Sequence, residues 1–199
     1  MKKALLLVCI LSVSVVTTAC INNLAVQELN NKAAVYMEKG TYTEAIERLK
    51  SSIDLDESVY ATHYNLGIAY TKNNEYQNAI NSYKKVIELN PEFADAYYSI
   101  AVAEEDILTE VYSNKLELDD AGQLVPVEEQ NDDDEQDKSV KSNNPNEKTK
   151  AYLNEITADA VKNYELYLQK GKDINDKAEV EARIRDLKSN LTSTETAAE

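Results

Sequence analysis

The chain has 199 residues, 43% of them hydrophobic, with only four glycines and three prolines and no tryptophan; so few turn formers suit helices and argue against a sandwich or barrel. A formal net charge of −15 excludes nucleic acid as a partner, because binding phosphates needs a basic face, and disfavours direct adsorption to an anionic membrane. Thirteen tyrosines stand against one phenylalanine, a bias that suits thin helical arrays, since tyrosine packs a ring while keeping its hydroxyl near water.

Residues 1–19 read as a secretory signal peptide. Lys2 and Lys3 precede an apolar run from Ala4 to Val16, and small residues follow up to Cys20, a pattern distinct from a transmembrane span. The ending Val16-Thr17-Thr18-Ala19-Cys20 resembles the lipobox of bacterial lipoproteins, in which the cysteine is acylated and becomes the first mature residue. Thr17 stands where that pattern usually holds an aliphatic residue. Thr17-Thr18-Ala19 also suits ordinary signal peptidase cleavage after Ala19, which is the alternative. Cysteine counting favours acylation: Cys9 leaves with the signal, so Cys20 is otherwise a lone thiol in an oxidising compartment. Loss of Lys2 and Lys3 takes the formal charge from −15 to −17. The resemblance implies a membrane anchor on Cys20, with residues 20–25 as anchor and linker, in the bacterial cell envelope. Ile21 after the cysteine resembles an outer-membrane address, facing the periplasm, or a place on the cell surface.

From Leu24, LAVQELNNKAAVYMEKG predicts a helix with Gly40 as its C-cap, and TEAIERLKSSIDLD predicts its partner. Residues 60–93 form a second helix–turn–helix unit, with Lys72-Asn73-Asn74-Glu75 as the turn. Pro91 stops its second helix, because proline lacks the N–H and disfavours helical geometry just before it. A step of 34 positions pairs Tyr42 with Tyr76, Ala45 with Ala79, Ile46 with Ile80, Ile53 with Ile87 and Leu55 with Leu89. Together His63, Leu66, Gly67, Tyr70, Ala79, Tyr83 and Pro91 resemble the tetratricopeptide signature W-x2-L-G-x2-Y…A-x3-F…P, with His63 in the Trp slot and Tyr83 in the Phe slot. Gly67 and Ala79 are small because the two helices of a repeat cross closely there. One unit cannot bury its own apolar face, which is why a second stands beside it. Lys32 in the slot of Leu66, and Asp56-Glu57 in place of Asn90-Pro91, suit a terminal repeat whose outer face meets water.

A third unit begins with ADAYYSIAVAEEDILTEVY, Ile100-Ala101 aligning with Leu66-Gly67. Its partner helix is delayed. Residues 113–147 are polar and acidic, are interrupted by Pro126 and Pro145, and read as a flexible insertion. Helical rhythm resumes at Lys148, with Ala160, Tyr164 and Tyr167 at the spacing of Ala79, Tyr83 and Val86, and Gly171 ends that helix. KAEVEARIRDLKSNL carries Ala178, Val180, Ile184 and Leu187 on one stripe, as a capping helix must. The expected fold is therefore an all-α tetratricopeptide-repeat helical solenoid of about three helix pairs plus a C-terminal capping helix, with a disordered acidic insertion. Repeats 1 and 2 and the first helix of the third span 26–112, the insertion 113–147, the third repeat's second helix and the cap 148–190, and a frayed tail 191–199.

The chain carries no enzyme signature and implies no cofactor. Its single histidine, His63, fills a packing slot; no serine stands in a G-x-S-x-G context, and there is no CxxC, HExxH or glycine-rich phosphate loop. The run Asp132-Asp133-Asp134-Glu135-Gln136-Asp137 lacks the spaced ligands and turn glycine of an EF-hand. It reads as a solvated charge run, with weak cation binding or docking to a basic surface as the lesser alternative, and no metal site is assigned. The tetratricopeptide resemblance implies that the first helix of each pair lines a concave groove, which places Asn30, Ala34, Met37, Tyr64, Asn65, Ile68, Tyr98, Val102 and Glu105 towards a ligand. Family members that grip acidic chaperone C-termini use Lys, Asn and Arg there. Asn65 matches that asparagine, but Asn30 and Tyr98 stand where lysines are expected and Val102 where a basic residue is. Tyr64 and Tyr98 read equally as packing between neighbouring helices. The expected function is an envelope scaffold or adaptor that binds a protein or peptide. The alternatives are an assembly factor resembling pilotin-type lipoproteins for an outer-membrane channel or pilus, or a solute- or cation-binding accessory of a transporter.

Overall fold

The computed structural model describes residues 22–119, 121–127 and 147–195; residues 1–19, expected to be a signal peptide, Cys20, the acidic run 132–137 and the last four residues lie outside them. The described residues fall into two compact units, divided between Glu92 and Phe93. Among the described residues no helix is long and apolar enough to cross a membrane.

The first unit contains α1 (22–38), α2 (Tyr42–Leu55), α3 (Tyr60–Lys72) and α4 (Tyr76–Leu89). Burial follows the expected small-and-apolar register: Ala45, Leu49, Ala69, Ala79, Tyr83 and Val86 are all but inaccessible. At the crossing of α3 and α4 a Cβ on Gly67 would fall 2.6 Å from Cδ1 of Tyr83, so only glycine admits that ring. The ring is then held at its far end, its hydroxyl 3.2 Å from Thr71 Oγ1. His63 is buried with Nε2 2.8 Å from the Glu57 carbonyl; a carbonyl only accepts, so the imidazole carries its proton there. This histidine ties the start of α3 to the preceding turn.

The first helices of the pairs end alike. Gly40 has φ +74° and Asn74 φ +61°. In each case the next N–H reaches back five residues, Thr41 to Tyr36 O at 3.0 Å and Glu75 to Tyr70 O at 2.9 Å, which is the Schellman arrangement. Asn114 repeats it at φ +55°, with Lys115 N–H donating to Glu110 O at 2.9 Å. A left-handed residue is affordable only for glycine or asparagine, and the chain supplies one at each of the three sites. α4 stops at Leu89, just ahead of Pro91.

The second unit contains α5 (Ala94–Tyr112), β1 (Leu116–Leu118), β2 (Leu124–Pro126), α6 (Glu147–Lys170) and α7 (Lys177–Glu195). Tyr98 meets Tyr167, while further along α5 Glu105 meets Tyr164; the index falls on α6 as it rises on α5, so the two helices are antiparallel. α5 and α6 therefore pack as a pair across the sequence gap. α5 and α6 run to 19 and 24 residues, against 13 and 14 for α3 and α4. The extra turns bury Ile107, Leu108, Leu153 and Ile156. Gly171 N–H closes α6 on Tyr167 O at 2.8 Å.

Two expectations need correction. The flexible insertion does not begin at 113: residues 116–118 and 124–126 pair antiparallel, Leu118 opposite Leu124 and Leu116 opposite Pro126. Asp119 fixes the turn, its carboxylate accepting the Gln123 N–H at 2.7 Å, and Gly122 takes φ +79°. Lys148 Nζ donates to the Asp119 carbonyl at 3.3 Å, which ties the turn to the start of α6. The tail does not fray at 191 either, since α7 runs on to Glu195.

Candidate functional site

In the first unit the residues assigned to the groove come from α1 and α3. Asn30 and Asn65 meet across these helices, Asn65 Nδ2 lying 3.4 Å from Asn30 Oδ1. Asn30 is more deeply engaged than a ligand-facing residue needs to be. Its Nδ2 sits within 2.9 Å of Val26 O, 2.8 Å of Ser52 Oγ and 3.0 Å of Thr62 Oγ1. Ser52 and Thr62 are fully buried, so this amide satisfies two hydroxyls that have no access to water. Ala34 is exposed and Met37, Tyr64, Asn65 and Ile68 are half-buried. Tyr64 leans on Tyr83, ring centroids 5.6 Å apart at 52°, so it combines a packing role with an accessible edge.

In the second unit Tyr98 and Val102 on α5 are half-buried. Tyr98 is wedged against two α6 tyrosines, 5.7 Å from Tyr164 edge-on and 5.1 Å from Tyr167, which is the packing role the sequence left open. Burial raises its hydroxyl above the usual tyrosine range. Glu105 takes part in a network: its Oε2 accepts Tyr164 Oη at 2.5 Å and Arg183 Nη1 at 2.6 Å, and Arg183 Nη2 also reaches Glu179 at 3.1 Å. Burial and then the Glu105 hydrogen bond hold the Tyr164 hydroxyl far above its ordinary value. For Arg183 burial works against the charge, yet the Glu105 bond and the remaining partners leave its pKa raised. The Tyr167 hydroxyl, donating to Asp176 at 2.9 Å, is pushed up to about 12 by burial and by that bond. Sequence reading did not single out Arg183; its only sequence signal is Glu179 four residues before it, the spacing of a helical ion pair.

The recurring pair of helices, the crossing at Gly67 and the shared left-handed caps define a helical-hairpin repeat. A family model described as Tetratricopeptide repeat matches residues 60–93, and one described as TPR repeat matches residues 33–74. Residues 33–93 therefore carry tetratricopeptide repeats. Among solved structures it resembles the first TPR of Spaghetti (RPAP3) bound to HSP90 peptide SRMEEVD, at 16% identity and TM-score 0.55 over 85% of this chain and 94% of that one. It also resembles the Arabidopsis OM64 TPR domain, at 12% identity and TM-score 0.56 over 83% and 98%. The second TPR domain of human RPAP3, solved with HSP70 peptide SGPTIEEVD, matches at 13% identity and TM-score 0.55 over 82% and 98%. At these identities the likeness concerns the fold. Comparison with curated proteins finds no match.

Proposed function

We propose that this chain is a binding module, an adaptor that takes a protein or peptide partner on the face shared by α1 and α3. The observation that carries the reading is the meeting of Asn30 and Asn65, which joins α1 and α3 into one surface bearing Ala34, Met37, Tyr64 and Ile68. Two of the similar structures hold a peptide, which supports a peptide as the class of partner. Aromatic and aliphatic groups with a few amides are the lining that orients an extended or helical peptide without relying on charge.

The proposal extends to place. A lipid on Cys20 would hold the module at the bacterial cell envelope, on the outer membrane facing the periplasm or on the cell surface. Intact mass of the mature protein tests this: a diacylglyceryl and acyl addition, lost in Cys20→Ser, is expected, and an unmodified chain would refute the anchor. A photo-crosslinking amino acid placed at exposed Ala34 in the producing cell tests the binding face. A discrete protein adduct is expected there and none from the same group at exposed Lys84 on α4. Equal labelling from both positions would overturn the assignment of the face.

A further inference from the structure

The overrun of the second unit's helices leaves a cleft of about 370 Å3 among α5, α6 and α7, lined by Glu105, Leu108, Thr109, Tyr112, Thr157 and Leu187. Its chemistry is unequal. Leu108 and Leu187 are buried and form an apolar floor, while Tyr112 stands 63% exposed at the edge. The hydroxyls of Thr109 and Thr157 donate to Glu105 O at 2.9 Å and Leu153 O at 2.7 Å on their own helices, so neither proton is offered to a guest. Glu105 is the one charged side chain on the wall among the described residues. Arg183 and Tyr164 both address its Oε2, and Oε1 has no hydrogen bond among the described residues.

The surrounding charge points the same way. Residues 93–199 contain 26 acidic and 12 basic residues, a net −14 of the chain's −15; the described residues of this unit alone hold 17 against 10, a net −7. A cation is therefore drawn to this unit and not to the first. An apolar floor, a ring at the edge and one carboxylate oxygen without a partner together match an amphipathic cation, whose methylenes bury while its head meets charge and ring.

We propose that the cleft receives a lysine or arginine side chain from a basic segment of a partner protein, with the stem along Leu108 and Leu187 and the charge at Glu105 Oε1 beside Tyr112. This site belongs to the second unit and does not depend on the α1 and α3 face.

The test is fluorescence anisotropy of a short fluorescein-labelled lysine–leucine peptide on the full mature chain. Saturable binding that weakens with salt is expected. Thr109→Arg, which sets a cation at an exposed position of the cleft, should weaken it about tenfold or more, and Tyr112→Ala by a similar factor, as for a central aromatic contact. Both positions are exposed, and circular dichroism should show both variants folded. Tyr60→Ala, at an exposed tyrosine of the first unit, should leave binding unchanged. No binding, equal binding of a glutamate–leucine peptide, or unaltered binding by both cleft variants would each overturn the proposal, the last by reducing it to general attraction to an acidic chain.

Discussion

Asn30 is where packing and recognition meet in one side chain. Its amide donates to the hydroxyls of Ser52 and Thr62, both fully buried; Ser52 keeps a 3.5 Å bond to the Val26 carbonyl, whereas leaving Thr62 unpartnered costs about 1–3 kcal/mol. Asn30→Ala should therefore lower the unfolding free energy by about that amount in urea titration, whatever it does to a ligand. A neutral result would mean that water replaces the amide. Gly67 makes the opposite kind of demand, for the absence of a group. Gly67→Ala improves helix propensity by about 1 kcal/mol, yet its methyl would lie 2.6 Å from Cδ1 of Tyr83, and overpacking of a core costs about 1–3 kcal/mol. Net destabilisation is expected by the same titration, with Gly67→Ala/Tyr83→Leu recovering part of it. A stabilised single variant would show that the ring swings aside freely.

In α6 the Tyr167 hydroxyl is pushed up to about 12 and that of Tyr164 is raised further, so folding favours their neutral forms. The sign follows: the contribution is intact below about pH 10, the ordinary tyrosine value, and drains away as pH rises towards 12 and above. Alkaline titration should show tyrosinate absorbance and loss of helicity rising together above pH 10; tyrosinate forming fully while helicity persists would contradict it. Much of this level was legible in the sequence, because a 34-residue step with small and apolar residues at fixed slots leaves few packings for α2, α3 and α4. The reunion of α5 with α6 was legible too, from Ala160 and Tyr164 standing as Ala79 and Tyr83 do. The hairpin was not. Its strands are three residues each, too short for a period to declare itself within an acidic stretch. Only Leu118 facing Leu124, and Leu116 facing Pro126, across Asp119 and Gly122 hinted at a turn. The Glu105–Tyr164–Arg183 network was invisible for another reason: it joins three helices whose relative rotation no single helix encodes.

At the level of the whole chain, charge is distributed by unit, with nearly all of the net −15 lying in residues 93–199. The peptides held by two similar structures, SRMEEVD and SGPTIEEVD, end in carboxylates. On the tetratricopeptide resemblance, Asn30, Tyr98 and Val102 stand at positions where members that grip a carboxylate carry cations. Neither peptide should bind, and isothermal titration calorimetry at low salt should register no heat of association; micromolar affinity for either would mean that a basic site elsewhere recruits them. The lengthened α5 and α6 have an entropic reading. Thirty-four residues separate these helices where three separate α3 from α4, and closing the longer loop costs about 2 kcal/mol more. Burying Ile107, Leu108, Leu153 and Ile156 offsets that several times over, at about 1.5–3 kcal/mol for each side chain. It follows that covalent continuity is dispensable at this point: a chain severed between 127 and 147 should reassemble from its two fragments, recovering the helicity of the intact protein when they are mixed.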